Sequence, residues 1–238
     1  AQEALAFVDQ HKDQPFFLYL ALTTPHANNE AKTKGMEVPS DAPYSKENWP
    51  EPERNKAAMI TRMDADIGRL LARLKELKLE QNTVVFFSSD NGPHKEGGNK
   101  PEFFASSGSL RGIKRDLYEG GIRVPMIVRW PGKIKAGTVN ERVWAFWDFL
   151  PTAAAIAGVR PPKNLDGISA LPALLGKRQR SHEFLYWEFH EGGSKQAVRT
   201  GDWKAVRLDP AKPLEIYNLK SDPGERDNQP LRPLGDAE

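Results

Sequence analysis

Asp90 and Asn91 stand side by side in Ser88-Ser89-Asp90-Asn91-Gly92, directly after the apolar run Thr83-Val84-Val85-Phe86-Phe87. A carboxylate and a carboxamide oxygen at adjacent positions are hard donors of the kind calcium or magnesium takes. Asp-Asn-Gly is also a turn sequence, and read by itself it is more readily a turn than a ligand pair. His26 follows a second apolar run, Phe16 to Leu22, through Thr23-Thr24-Pro25. Alone, it reads as an ordinary loop histidine. Two polar sites at equivalent ends of two core strands can converge, however, because ligands of open α/β sheets sit where strands end. His94 lies just beyond the Asp-Asn-Gly turn and is equally open to reaching a substrate and to packing on that turn. Lys114, in Leu110-Arg111-Gly112-Ile113-Lys114, reads by itself as a surface lysine.

The elements that must position these groups follow from periodicity. Ala4, Leu5 and Val8 within residues 1–12 fall at helical spacing, and Pro15 ends that segment. Phe16–Leu22 and Thr83–Phe87 read as short buried strands, the second a central strand of a parallel sheet. Between them, residues 53–79 form the clearest helix, with Met59, Ile60, Met63, Ile67, Leu70, Leu71, Leu74 and Leu77 at three- and four-residue spacings. Strand, helix and strand would make a right-handed parallel crossover. Asp64 and Asp66, two apart, do not share a helix face and read as a solvated edge. Residues 27–52 form a polar, Pro-rich loop, long enough to expect it to face a substrate. Trp49 within it could stack on a ring but reads more readily as a cover for the core. Met126–Trp130 is a further strand, and residues 143–156 lead into a helix near which Asp148 reads as a backbone-binding residue. From His182 the pattern changes to four short strands, 184–189, 195–200, 203–208 and 215–219, separated by Gly-Gly, Gly-Asp and Asp-Pro turns. His190 and Glu191 beside Gly192-Gly193 fit a hairpin turn better than a site. The tail after Asp222 is polar and is expected to lie on the surface.

The motifs SDNGPH, LRGIK, YEGGIRVP and WPGKI, in this order and spacing, closely resemble the sulfatase family of the alkaline-phosphatase-like superfamily. The resemblance runs the length of the chain but matches only the later part of a sulfatase. It implies an α/β fold: part of a doubly wound mixed sheet with flanking helices over residues 1–165, then a small C-terminal antiparallel four-stranded subdomain over 166–238. It implies sulfate monoester hydrolysis, with a divalent metal, most often Ca2+, held in part by Asp90 and Asn91. It also implies that His26 and Lys114 bind the sulfate and act in catalysis, with His94 as a further substrate contact. Arg111, Glu119 and Arg123 are expected to hold the loop through ion pairs. All four of Asp90, Asn91, His26 and Lys114 are expected to meet at one cavity, with the Asp90 and Lys114 charges close enough to attract or to share a water.

The family's nucleophile is a formylglycine made from Cys or Ser in a C/S-x-P-S-R motif. This chain has no Cys, and none of its serines has that context. The expectation is therefore a C-terminal sulfatase fragment that works only when an N-terminal half completes it. The rivals are a phosphodiesterase or phosphonate hydrolase of the same superfamily and a catalytically silent scaffold. Charge is nearly balanced, 34 basic against 32 acidic residues with a formal net charge of +2, which gives no argument for a nucleic-acid or membrane partner. No apolar run is long enough to span a bilayer, and no signal segment opens the chain. The resemblance implies a periplasmic or secreted protein and a sulfated small molecule or sulfated carbohydrate as substrate. An uncovered sheet edge would leave room for association with another chain.

Overall fold

The computed structural model describes residues 1–229, so the part of the polar tail at 230–238 lies outside the described residues. Its architecture is mixed α/β with a four-stranded antiparallel sheet and helices. The chain divides into two compact units: residues 1–83 with 89–124, and residues 84–88 with the remainder from 125.

In the first unit, α1 (Gln2–His11) buries Ala4 and Val8, and α2 (Glu51–Glu76) begins with Pro at its first turn, where the missing N–H costs nothing. The two helices are tied by Arg73 and Asp9, 2.7 Å apart. Met59 from α2 packs with Ala27 and Met36 from the long loop, with Val38 against them. That same loop places Trp49 among Tyr44, Phe103 and Phe104, with ring centroids 5.0–6.1 Å away. Asp66 pairs with Arg69 one turn on, so it belongs to the helix edge. Two polar residues of α2 are buried and hold the loop that follows Gly92. Glu53 accepts from the Lys100 N–H at 2.6 Å, and Lys56 donates to Asn99 at 3.0 Å and to Ser106 at 3.2 Å.

The apolar runs carry two corrections. Phe16–Leu22 joins neither sheet, and Phe17 and Tyr19 are 68% and 81% exposed on alternate positions. A short continuous apolar run favours a buried strand, but a strand also needs a neighbour's N–H and C=O groups, and local sequence does not supply those. The run at 83–87 does form a strand, β1 (Val85–Ser88), but it pairs antiparallel with β2 (Met126–Arg129), from Val85 opposite Arg129 to Ser88 opposite Met126. Continuous hydrophobicity marks burial on both faces. Pairing direction depends on the partner, and β2 returns from the Lys114 loop in the opposite sense. The expected parallel crossover is therefore absent among the described residues.

The one-turn α3 (Glu119–Ile122) precedes β2. After β2, a 3-10 turn (Phe146–Asp148) leads into α4 (Phe149–Ile156), and the short α5 (Leu171–Leu174) follows. Asp148 is fully buried and binds backbone as expected. Its carboxylate accepts from the Ala145 and Ile168 N–H groups at 3.0 and 2.7 Å, and His182 lies 2.8 Å away. Four strands, β3 (Leu185–Phe189), β4 (Lys195–Thr200), β5 (Trp203–Arg207) and β6 (Glu215–Asn218), form an antiparallel meander in sequence order. Leu185, Ala197, Lys204, Val206 and Tyr217 are buried on one face, while Tyr186 and Val198 are exposed on the other. That alternation is what the period of two demands.

Candidate active site

The Lys114 loop is built on glycine. Gly112 has φ +89°, and a Cβ there would lie 3.0–3.1 Å from the side chains of Asp116 and Tyr118. Asp116 accepts from the Ile113 N–H at 2.9 Å, and Gly120 N–H donates to the Arg111 carbonyl at 2.6 Å. The Arg111 guanidinium lies over the Tyr118 ring, 3.8 Å from its centroid. Glu119 is buried, with Arg123 3.9 Å away at the surface. Two backbone bonds stitch this loop to the Asp-Asn-Gly turn: Gly92 N–H to the Gly121 carbonyl at 2.9 Å, and Lys114 N–H to the Pro93 carbonyl at 2.8 Å.

Lys114 Nζ lies 2.8 Å from His26 Nε2, so two residues 88 positions apart meet. The carboxylate that receives Lys114 is Glu96, not Asp90. Glu96 Oε2 is 3.0 Å from Lys114 Nζ, and its other oxygen is 2.6 Å from Arg115 Nη1. His26 Nε2 and His94 Nδ1 lie 3.6 and 3.8 Å from the same Oε2. Sequence reading missed Glu96. The available signal was the pair of glycines behind it: Gly97 and Gly98 both have positive φ, and a Cβ on Gly97 would fall 2.7 Å from the Ala27 Cβ. Only glycine lets that turn press against the residue that follows His26.

Hydrogen bonds set the proton on each ring. His26 Nδ1 is 2.7 Å from the Ala27 carbonyl, which can only accept, so Nδ1 carries the proton and Nε2 offers its lone pair to the Lys114 ammonium. His94 has the opposite tautomer: Nδ1 accepts the Glu96 N–H and Nε2–H donates to the Pro25 carbonyl, both at 3.2 Å. Burial holds the His94 pKa below its ordinary value, which keeps the ring neutral. Both His94 nitrogens are thus engaged within the chain, and the ring stacks beside His26 with centroids 5.8 Å apart.

Burial alone would raise the Glu96 pKa, but hydrogen bonds from Arg115 and Lys114 outweigh it and lower it from 4.5 to about 2. A depressed carboxylate stabilises the fold fully above its unfolded pKa, and that contribution is lost as pH falls through the folded value. The Glu96 anchor should therefore be intact above about pH 4.5 and vanish toward pH 2. A carboxylate 13C titration of the chain should give Glu96 a midpoint near 2; an ordinary midpoint would show that the ion pairs do not form in solution.

Asp90 is exposed, and its carboxylate has no hydrogen-bond partner among the described residues. Asn91 Nδ2 donates to the Gly92 carbonyl at 2.8 Å, which leaves its side-chain oxygen facing away from that bond. The structure thus brings His26, His94 and Lys114 together, and holds Asp90 and Asn91 in the neighbouring turn without a direct contact to them.

Residues 1–159 match the Sulfatase family model, and residues 113–232 match that of the N-sulphoglucosamine sulphohydrolase C-terminal region. The chain belongs to the sulfatase family. It is 32% identical to N-acetylgalactosamine-6-sulfatase of Canis lupus familiaris over 86% of this chain and 37% of that protein. It is 36% identical to steryl-sulfatase of Rattus norvegicus over 88% of this chain and 36% of that one. Among solved structures, Ps i-CgsB in complex with k-i-k-neocarrahexaose superposes with a TM-score of 0.81 at 31% identity, covering 95% of this chain and 49% of that one. The chain therefore spans less than half the length of each of these sulfatases.

Sulfatases as a family use a divalent metal, and calcium surrounds itself with about six to eight oxygens. Asp90 and Asn91 offer two side-chain donors, and among the described residues no three His, Asp or Glu side chains gather into a metal site. These residues by themselves do not make a complete site for the ion, and no step of the chemistry is derived through it.

Proposed function

We propose that this chain carries the His26–Lys114 part of the sulfate-binding site of a sulfatase, and that it hydrolyses sulfate monoesters only when residues outside these 238 complete the site. The observation that carries the reading is the 2.8 Å approach of Lys114 Nζ to His26 Nε2, in a chain of the sulfatase family. A lysine ammonium with three N–H groups can serve His26, Glu96 and one further acceptor at once. A sulfate oxygen is the acceptor proposed here. Fixed positive charge at that point favours the negative charge that grows as the sulfur–oxygen bond breaks. His26, with Nε2 unprotonated and 43% of its side chain exposed, stands beside the same oxygen and can take or return a proton through Nε2. His94 supports this edge of the site by fixing the Pro25 carbonyl next to His26. Asp90 and Asn91 would contribute two oxygens to a larger metal shell, most often calcium in this family, and the nucleophile would be a formylglycine supplied from elsewhere.

The substrate class proposed is a sulfated carbohydrate. Two matches support it: a relative named for a sulfated amino sugar and a solved structure that binds an oligosaccharide. The steryl-sulfatase match fits a reading in which the sulfate clamp is common and the rest of the substrate differs.

Binding of inorganic sulfate to the chain, followed by calorimetry or by the His26 resonances, tests the reading. Lys114→Ala should weaken it by about 1.5–3 kcal/mol, the usual worth of a hydrogen bond to a charged group, or roughly 10- to 150-fold in Kd. Equal affinity in the two proteins would remove Lys114 from the clamp, and no sulfate binding by the parent chain would count against the site itself.

A further inference from the structure

We propose that Lys56 and Asn99 are positioning residues of the sulfate clamp: a buried polar strut from α2 fixes His94, whose ring ties together the loops that carry His26 and Glu96. The inference rests on the reading of His26 and Lys114 given above and extends it to two residues that bond to neither. Three features of the structure support it.

The first is the direction of the strut. Lys56 Nζ donates to the Asn99 side-chain oxygen, and the Asn99 amide group donates to the His94 carbonyl. A lysine ammonium has N–H groups only, so the Asn99 oxygen must face Lys56 and its NH2 group must face His94. Lys56 therefore sets which way the amide points. Glu53, three residues earlier on the same face of α2, accepts the N–H of Lys100. Asn99 and Lys100 are thus both held from one helix face.

The second feature is what His94 does with that support. Its Nδ1 accepts the Glu96 N–H and its Nε2–H donates to the Pro25 carbonyl, both at 3.2 Å. One ring joins the backbone of Glu96, which receives Lys114, to the backbone just before His26. The loop after His26 is also tied to α2 farther along, where Asn55 donates to the Met36 carbonyl at 2.8 Å. Both loops hang from α2, and His94 sets their spacing at the clamp.

The third feature is the cost of the arrangement. Lys56 is 7% exposed and Asn99 2%, and Lys56 donates to the neutral side chains of Asn99 and Ser106. Burial holds the Lys56 pKa below its ordinary value, with Glu53 opposing that effect. An apolar side chain would fill the same place without desolvating a charge. What the ammonium supplies, and an apolar group would not, is a fixed orientation of Asn99.

The test uses the 238-residue chain labelled with 15N, reading amide exchange at Glu96, the His94 ring nitrogens and sulfate affinity. Asn99→Asp keeps an acceptor for Lys56 and loses only the NH2 group that reaches His94. It should melt close to the parent. Its Glu96 amide should exchange faster, and His94 Nδ1 should move toward the signal of an unbonded ring nitrogen. Sulfate should bind roughly 2- to 12-fold more weakly, the worth of one hydrogen bond. Glu53→Gln combined with Lys56→Met removes both charges, keeps an acceptor for the Lys100 N–H, and should act in the same way. Unchanged sulfate affinity in either folded variant overturns the inference, whatever the ring signals do. Protection lost as much through α2 as at Glu96, or failure of both variants to fold, overturns it too, because the strut would then serve the fold as a whole. A parent chain that binds no sulfate would remove the clamp, while the Glu96 and His94 signals would still decide whether Lys56 and Asn99 hold His94.

Discussion

Lys204→Ala or Glu225→Ala is expected to destabilise the protein by about 3–5 kcal/mol, the penalty for stranding one charge of a buried pair. Lys204 Nζ and Glu225 Oε1 are 2.9 Å apart, and neither side chain has any exposure. Lys204 stands on β5 on the same face as Val206, between Arg199 of β4 and Tyr217 of β6, and is buried where a lone ammonium would lack water. Glu225 arrives from the segment after β6, so the pair also fastens that segment to the sheet. For a chain of this size each kcal/mol moves the melting temperature by roughly 2–4 °C. Either single variant should therefore melt about 6–20 °C lower. Lys204→Met combined with Glu225→Leu should lose less than either single alanine change, because it removes both charges together. Thermal and urea unfolding of the four proteins decides the matter; single variants within about 1 kcal/mol of the parent would mean that water reaches the pair.

No steady hydrolysis of an aryl sulfate is expected from these 238 residues alone. The clamp proposed above would bind and polarise a sulfate group, but sulfuryl transfer also needs a nucleophile set in line with the leaving oxygen. The chain has no cysteine, and no serine in the C/S-x-P-S-R context that yields formylglycine. The two oxygen donors at Asp90 and Asn91 fall short of a metal shell as well. Mass spectrometry should confirm the N-terminus of the material before an assay with 4-nitrophenyl sulfate. Turnover that persists through purification and disappears in Lys114→Ala would show that the chain holds a nucleophile of its own, and the proposal that it needs completion would have to be given up.

How much of this was legible beforehand depends on the range over which each property is decided. The four strands of the C-terminal sheet were readable because their alternation is a local property: residues two apart share a face whichever partner they meet. The long helix α2 was readable for the same reason, from its spacing of three and four. The family was legible too, in the short motifs around Asp90, Lys114 and Glu119. Pairing was decided elsewhere. Val85–Ser88 gives the same apolar signal for a parallel or an antiparallel partner, and only the return path of the chain through Met126 chose the second. Phe16–Leu22 has the composition of a strand, yet nothing in those residues reports whether another backbone lies beside them. Charge neutralisation was also a tertiary outcome. Asp90 was the expected neighbour of Lys114 because their loops were read as sharing one sheet edge, whereas the structure gives Lys114 to Glu96, a residue outside the four motifs that carried the resemblance. A carboxylate's partner depends on which loops the glycines allow to approach, and Gly97, Gly98 and Gly112 set that approach. Lys204 makes the same point in the core. Its place beside Val206 on one strand face could be read from the sequence, but its survival there depended on Glu225, which only the folded chain could bring to it.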